Sequence, residues 1–298
     1  MSREKIAVIG AGPAGTAAAM QLKRYGIDTL LFESDEVGGL VRNAWKVENY
    51  PGFPGGISGI ELASIIQKQL NHSGITPLFN HVKNLSFDHD NDSFKIITDD
   101  AEYETETVII AAGTRPEKLD ILENLPDILK NKTHYEIHPI LEIQNNRIAI
   151  IGAGDVAFDY ALNLSRQNDI IILNRHDNNH ALPLLTKLAS ESKRISYMEN
   201  VSVDGISATG DTSMKVTITA DGKADSIRVD HIVAAVGRIP RDDFIDRTVI
   251  DSKAMLIENG RLYFAGDVAN GIYRQVGIAV GDGLRAAMQI FQFMNERE

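Results

Sequence analysis

Ile6-Ala7-Val8-Ile9-Gly10-Ala11-Gly12-Pro13-Ala14-Gly15 is a short apolar run followed at once by glycines in the order G-x-G-x-x-G. The apolar run reads as a buried strand, and Thr16 to Tyr25 beyond it as a helix. Thr29-Leu30-Leu31-Phe32 is a second strand-like run, and Glu33 ends it. Strand, glycine turn, helix, strand and terminal acid make a dinucleotide-binding βαβ unit. Gly10 permits the tight turn, Gly12 lets the backbone approach a pyrophosphate, and Gly15 allows the helix to pack close to the strand. The helix start, with Pro13 and Ala14 in it, then turns its N–H groups and the positive end of its dipole toward phosphate. A carboxylate at Glu33 accepts hydrogen bonds from a ribose diol and repels a 2′-phosphate.

Working outward, the same plan recurs. Ile148-Ala149-Ile150-Ile151 precedes Gly152-Ala153-Gly154-Asp155-Val156-Ala157, a helix is expected over Val156 to Arg166, and Ile170-Ile171-Ile172-Leu173 follows. Ala157 stands in the place of the third glycine, a variant that still forms the turn. Asn174 replaces the terminal acid, and Arg175 and His176 follow it. Loss of the carboxylate and gain of an arginine favour a 2′-phosphate, with His176 and His180 assisting only when protonated. The alternative for Arg175 is an ordinary exposed arginine after a strand.

Each half continues into short alternating segments separated by polar turns, which read as β-meanders. In the first half these are His81 to Phe87, Phe94 to Thr98 and Tyr103 to Thr107. In the second they are Val201 to Ile206, Lys215 to Thr219 and Ser226 to Val229, the first turn being Thr209-Gly210-Asp211. Each meander ends in a buried-type strand closing on glycine, Val108 to Gly113 and Ile232 to Gly237. Pro-bearing crossings follow at Thr114-Arg115-Pro116 and Arg238-Ile239-Pro240. Two dinucleotide sites in one chain imply two cofactors, and the natural pair is a flavin and a nicotinamide.

The chain has 298 residues, 24% charged and 43% in the AVILMFWYC group, which suits a globular protein of about two domains. It contains no cysteine, which excludes disulfides, thiolate metal sites and a redox dithiol. The net charge of -11 opposes phosphate backbones, so no nucleic-acid partner is expected. No apolar run approaches the ~20 residues that span a bilayer, and no apolar leader follows Met1. No membrane partner and a cytoplasmic location are therefore expected.

Val47-Glu48-Asn49-Tyr50-Pro51-Gly52-Phe53-Pro54-Gly55-Gly56-Ile57-Ser58-Gly59, preceded by Gly38-Gly39-Leu40, closely resembles the corresponding segment of the low-molecular-weight thioredoxin reductases. Ala265-Gly266-Asp267-Val268 with Tyr273-Arg274-Gln275 is similar to that family's C-terminal FAD signature. Ala111-Ala112-Gly113 and Val236-Gly237-Arg238-Ile239-Pro240 look like its interdomain strands. The resemblance spans essentially the whole chain. It implies an α/β fold of two Rossmann-like domains in three ββα layers, with the nicotinamide domain (115–239) inserted into the FAD domain (1–114 and 240–298). It further implies that Gly10, Gly12, Pro13, Ala14, Gly15, Glu33, Gly39 and Leu40 belong to the FAD site, with Asn49, Ala112 and Gly113 near the flavin. Gly266 and Asp267 would meet the ribityl chain, and the Arg274-Gln275 backbone the ring. Gly152, Gly154, Asp155, Val156, Ala157, Asn174, Arg175, His176 and Gly237 would hold NADP(H) or NAD(H). A homodimer is implied too.

The family's Cys-x-x-Cys falls here at Tyr135-Glu136-Ile137-His138. Flavin-to-dithiol transfer within this chain is therefore excluded. Its adenosine-phosphate motif is reduced to Asn174-Arg175-His176 with His180 beyond, one arginine of three. The segment Gly154 to Ala161 looks closer to the cysteine-free, thioredoxin-reductase-like ferredoxin/flavodoxin–NADP reductases. Tyr135 and His138, in place of the redox pair, either approach the flavin or belong to a plain connector. His134 and His138 share an i, i+4 spacing, but Pro139 argues against a helix and no third ligand is near, so no metal is expected. The reading is a flavin-dependent NAD(P)H oxidoreductase whose electrons leave by a route other than a disulfide, with ferredoxin, flavodoxin or another acceptor as partner. Two alternatives stand beside it: a flavoprotein that takes its electrons from ferredoxin or another donor, and a non-catalytic flavin-binding regulatory module.

Overall fold

A computed structural model describes residues 4–209 and 213–296. Gly210 and Asp211, where a hairpin turn is expected, lie outside the described residues. The chain divides into two compact units, one of Met1–Arg42, Val47–Arg115 and Ile239–Glu298, the other of Asn43–Lys46 and Pro116–Arg238. The main boundaries fall within the strands Thr114–Pro116 and Arg238–Pro240. The short segment Asn43–Lys46 lies in the first unit's stretch of sequence yet belongs to the second unit.

The first unit is built on a seven-stranded sheet. Its parallel part runs Leu78–Phe79, Leu30–Glu33, Glu4–Ile9, Glu102–Ile110, and the late strand Leu262–Phe264 joins it by pairing with Glu102–Ile110. Glu102–Ile110 is shared between two kinds of pairing. Its first half pairs antiparallel with Ser93–Thr98, Phe94 opposite Thr105, while Val108 to Ile110 pair in parallel with Leu262 to Phe264. Burial follows that division. Val108, Ile109 and Ile110 are a continuous apolar run, as a strand covered on both faces requires, whereas Glu102 to Thr107 alternate toward solvent. One core lies under the helices Pro13–Arg24 and Val276–Glu296, around Val8, Leu22, Leu31, Ile109 and Ala287. The second, on the other face, gathers Phe32, Leu85, Phe94, Ile110 and Leu256.

The second unit has a five-stranded, wholly parallel sheet in the order Ile195–Met198, Asp169–Leu173, Arg147–Ile151, His231–Ala234, Thr133–His134. Its meander, Val201–Thr209, Ser213–Ala220 and Lys223–Val229, forms a separate antiparallel sheet. Here Asp230 breaks what is one long strand in the first unit. Its carboxylate accepts the Arg147 N–H at 2.9 Å and the Ser213 hydroxyl at 3.1 Å, so the chain turns from one sheet to the other at a satisfied polar residue. Among the described residues no helix is long and apolar enough to cross a membrane.

Candidate functional site

The first glycine turn leaves the strand Glu4–Ile9 and enters the helix Pro13–Arg24. Gly10 has φ +103°, and a Cβ there would run into the carbonyl of Ala111 on the neighbouring strand. A side chain is therefore excluded twice, by conformation and by space. A Cβ at Gly15 would strike the Gly10 carbonyl, so the helix abuts the turn that launches it. Gly12, the N-cap, has nothing within 4 Å of its missing Cβ. No acidic residue occupies the first helical turn and no side chain caps it. The result is an open, uncharged helix start able to receive an anion.

Glu33 stands beside this turn rather than merely near it in sequence. Its Oε2 accepts the Ala11 N–H at 2.7 Å, and its Oε1 accepts the N–H groups of Ser34 and Asp35 at 2.8 and 3.1 Å. Gly38 donates to the Ala11 carbonyl at 2.9 Å, and Gly39 passes close to Gly12, which sets Leu40 at the start of the short turn Gly39–Asn43. Gly266, at φ +77°, lies against the Ala14 methyl and places Asp267 in the turn Gly266–Val268. Asn49 donates to the Gln275 side chain at 2.6 Å, joining two segments that are 226 residues apart. Gly113, at φ +67°, accepts from the Arg241 N–H, just after Ala112. The Arg274 N–H turns back onto the Ile272 carbonyl.

The second turn repeats the first at its tightest point. Gly152 has φ +118°, and a Cβ there would run into the Ala235 carbonyl, the counterpart of Ala111. Gly154 is again open. Ala157 is accommodated, its N–H bonding the Gly154 carbonyl at 3.0 Å inside the helix Asp155–Leu164. Two differences follow. Asp155 puts a carboxylate in the first helical turn, where it accepts the Leu182 N–H at 2.7 Å; Val156 next to it is exposed. Asn174 is buried, and its amide donates to the Asn178 carbonyl and the Tyr197 hydroxyl while its oxygen accepts from the His176 N–H. It is committed to its own loop. Arg175 is exposed and donates to His176 Nε2 at 3.0 Å. Gly237 packs against the Glu117 carboxylate.

The stretch at the position of the redox cysteines is held within the second unit. The Tyr135 hydroxyl accepts the Leu119 N–H and donates to Glu123 at 2.9 Å, with Lys118 Nζ 4.0 Å from the ring centre. Burial pushes that hydroxyl up to about 12. The N–H groups of Ile137 and His138 both donate to Asn43 Oδ1, at 3.0 and 2.9 Å. Glu136 is the hub. Its carboxylate accepts from Asn43 Nδ2, the Tyr160 hydroxyl and Arg238 Nη1, at 2.9, 2.8 and 2.5 Å. Burial first, and then Glu136, hold the Tyr160 hydroxyl un-ionised. Asp159 accepts the Trp45 N–H at 2.9 Å, and burial raises its carboxyl to about 6. Sequence reasoning missed this cluster of Asn43, Glu136, Asp159, Tyr160 and Arg238, because its partners are far apart along the chain. His134 faces His231, not His138, at 3.1 Å, and burial lowers it to about 4. Among the described residues no group of three or more His, Asp or Glu side chains could hold a metal ion.

The profile of the pyridine nucleotide-disulphide oxidoreductases matches residues 4–283. The chain belongs to that family. Thioredoxin reductase of Listeria innocua is 28% identical, covering 99% of this chain and 96% of its own, and that of Bacillus subtilis is 27% identical over 99% and 97%. The crystal structure of Lactococcus lactis thioredoxin reductase superposes with a TM-score of 0.85 at 28% identity, covering 99% of this chain and 100% of the other. The fold is shared as well by the bacillithiol disulfide reductase of Staphylococcus aureus, at a TM-score of 0.74 and 21% identity. The thioredoxin reductase-like family uses FAD and NADPH. Its name refers to a disulfide, yet this member contains no cysteine.

Proposed function

We propose that this protein is a cytoplasmic, homodimeric FAD-dependent NAD(P)H oxidoreductase that passes electrons to an external acceptor such as ferredoxin or flavodoxin. The observation that carries the reading is the pair of open glycine turns combined with a disulfide position rebuilt as a hydrogen-bonded cluster around Glu136. The first unit fits FAD: Gly12 leaves room for a pyrophosphate, and Glu33 is held at the turn, where it can take a ribose diol. Gly10, Pro13, Ala14, Gly15, Gly39, Leu40 and Asp267 complete that cradle, and Asn49, Ala112, Gly113, Arg274 and Gln275 its flavin end. The second unit would take the nicotinamide dinucleotide at Gly152, Gly154 and Ala157.

Bound FAD supplies acceptance of a hydride and release of one or two electrons. This chain's own part is positioning: the Tyr135 hydroxyl is engaged with Leu119 and Glu123 of the second unit, and no side chain is assigned to proton transfer. Arg175 is the one arginine left of the reduced phosphate motif, so the nicotinamide donor is NADPH or NADH.

Asn174 favours a second reading. With its side chain committed to Asn178, Tyr197 and His176, the second unit would no longer use nicotinamide, and electrons would come from ferredoxin or another donor. Anaerobic titration of the FAD-loaded protein separates the two. Rapid bleaching of the flavin absorbance by NADPH or NADH is the expected result. No bleaching with either nucleotide overturns the first reading in favour of the second.

A further inference from the structure

Helix Val276–Glu296 carries one buried charge among alanines and isoleucines, Asp282, which is only 8% exposed. A buried carboxylate costs several kcal/mol unless its oxygens are satisfied. Here both are. Oδ2 accepts the Gly266 N–H at 3.1 Å and Asn270 Nδ2 at 2.5 Å, and Oδ1 pairs with Arg285 Nη2 at 2.5 Å. Two of the three donors come from one short segment, the turn Gly266–Val268 and the residues just after it. The carboxylate thus grips the two sides of Asp267.

The neighbouring contacts fix the other end. Gly283 follows Asp282, and a Cβ there would strike the Ala14 carbonyl and come within 3.0 Å of the Ala18 nitrogen. Gly266 itself packs on the Ala14 methyl. The helix bearing Asp282 is therefore seated directly on the first turn of helix Pro13–Arg24. It touches the helix that follows the open glycine turn through Gly283, and the Asp267 turn through Asp282. Packing alone explains Gly266 and Gly283. It does not explain a carboxylate, because a small apolar residue would fill the same space at less cost.

We infer that Asp282 is a positioning residue for FAD: it sets the Asp267 turn against the helix start at Gly12. The inference rests on the reading of the first unit as the FAD site. Asp282→Ala removes Oδ2, the one acceptor shared by the Gly266 N–H and Asn270 Nδ2, so both bonds to the turn are lost. Loss of these charge-assisted bonds is expected to raise the Kd for FAD about tenfold. Asn270→Ala removes one of the two contacts from the turn side, should act in the same direction, and should add nothing to Asp282→Ala.

The test measures the FAD Kd of apoprotein by quenching of flavin fluorescence, with far-UV circular dichroism confirming the fold of each variant. The decisive variant is Asp282→Asn, whose amide oxygen can take the place of Oδ2 and accept from both Gly266 and Asn270, with its NH2 on the Oδ1 side. Affinity within about threefold of the parent is expected, together with a KM for NADPH unchanged in FAD-saturated protein. An unchanged Kd in Asp282→Ala overturns the inference. So does an Asp282→Asn variant that folds but binds FAD no better than Asp282→Ala. If the parent protein itself takes up no FAD, the reading of the first unit fails, and this inference with it.

Discussion

The two glycine turns are the same device used twice, and their differences are more informative than their likeness. At Gly10 and Gly152 the backbone demands the same thing: positive φ, and no atom where a Cβ would meet the carbonyl of the adjacent strand. Three residues beyond Gly12 and Gly154 the copies part. Gly15 lets one helix rest on its own turn, while Ala157 is tolerated in the other. At the end of the second strand they part again. Glu33 bonds back to Ala11 in the turn, whereas Asn174 turns away to Asn178 and Tyr197. Chain geometry conserves the first feature in both copies. The last two depend on what each turn has to hold.

The comparison can be broken first at its strongest point. Gly10→Ala and Gly152→Ala should each destabilise the folded protein by about 3 kcal/mol or more, since strain at positive φ adds to a backbone collision. Gly12→Ala and Gly154→Ala, with open space at ordinary φ, should cost about 1 kcal/mol or less. Chemical denaturation of the four variants checks this. Equal losses at all four positions would show that the turns are not built as described.

Titration distinguishes the units next, because the deepest shifts of buried groups lie in the second. The folded-state value for Asp159 is about 6 against 3.8 in a free carboxylate, so the folded protein binds the extra proton between those values. Its contribution therefore turns unfavourable as pH rises from about 4 to 6, by up to about 3 kcal/mol. His134 runs the other way. Its folded-state value is about 4 against 6.5, so stability is lost as pH falls through that window. Wild-type protein should show a shallow profile in which the two oppose. Asp159→Asn should remove the fall with rising pH, and His134→Gln should expose it. Identical pH profiles in the two variants would refute the assignment.

The smallest effect separates the two strand ends. Glu33→Gln should weaken FAD about tenfold through loss of a charged acceptor, with little change in nucleotide use. Asn174→Ala should leave FAD untouched and cost about 1 kcal/mol by removing a buried amide that ties the exposed Asn178 and Tyr197 together. Isothermal titration and thermal unfolding of the pair measure both. A loss of FAD affinity in Asn174→Ala would erase the distinction.

Both βαβ units could be read from residues close together in the chain. Apolar runs, glycine spacing and terminal residues act within about 30 positions, the range over which strand, turn and helix assemble. Positions 135–138 were legible only as an absence. That Glu136 would bond Asn43 depends on two residues 93 positions apart. No periodicity marks such a pair. The same holds for Asp282, which looks like one acid on an amphipathic helix until the turn at Gly266 is folded against it.

Sequence alone determined the duplicated plan, the places of the two turns, and the exclusion of a redox dithiol, since each is a matter of local backbone chemistry or of composition. Only the tertiary structure decided that Asn43–Lys46 belongs to the second unit, that Asn174 serves its own loop, and that the half-buried Glu136 and Asp159 and the buried Asp282 meet their donors. The reason is physical. Buried polar groups must find partners, and which partners reach them is settled by packing across the fold, not by neighbours along the chain.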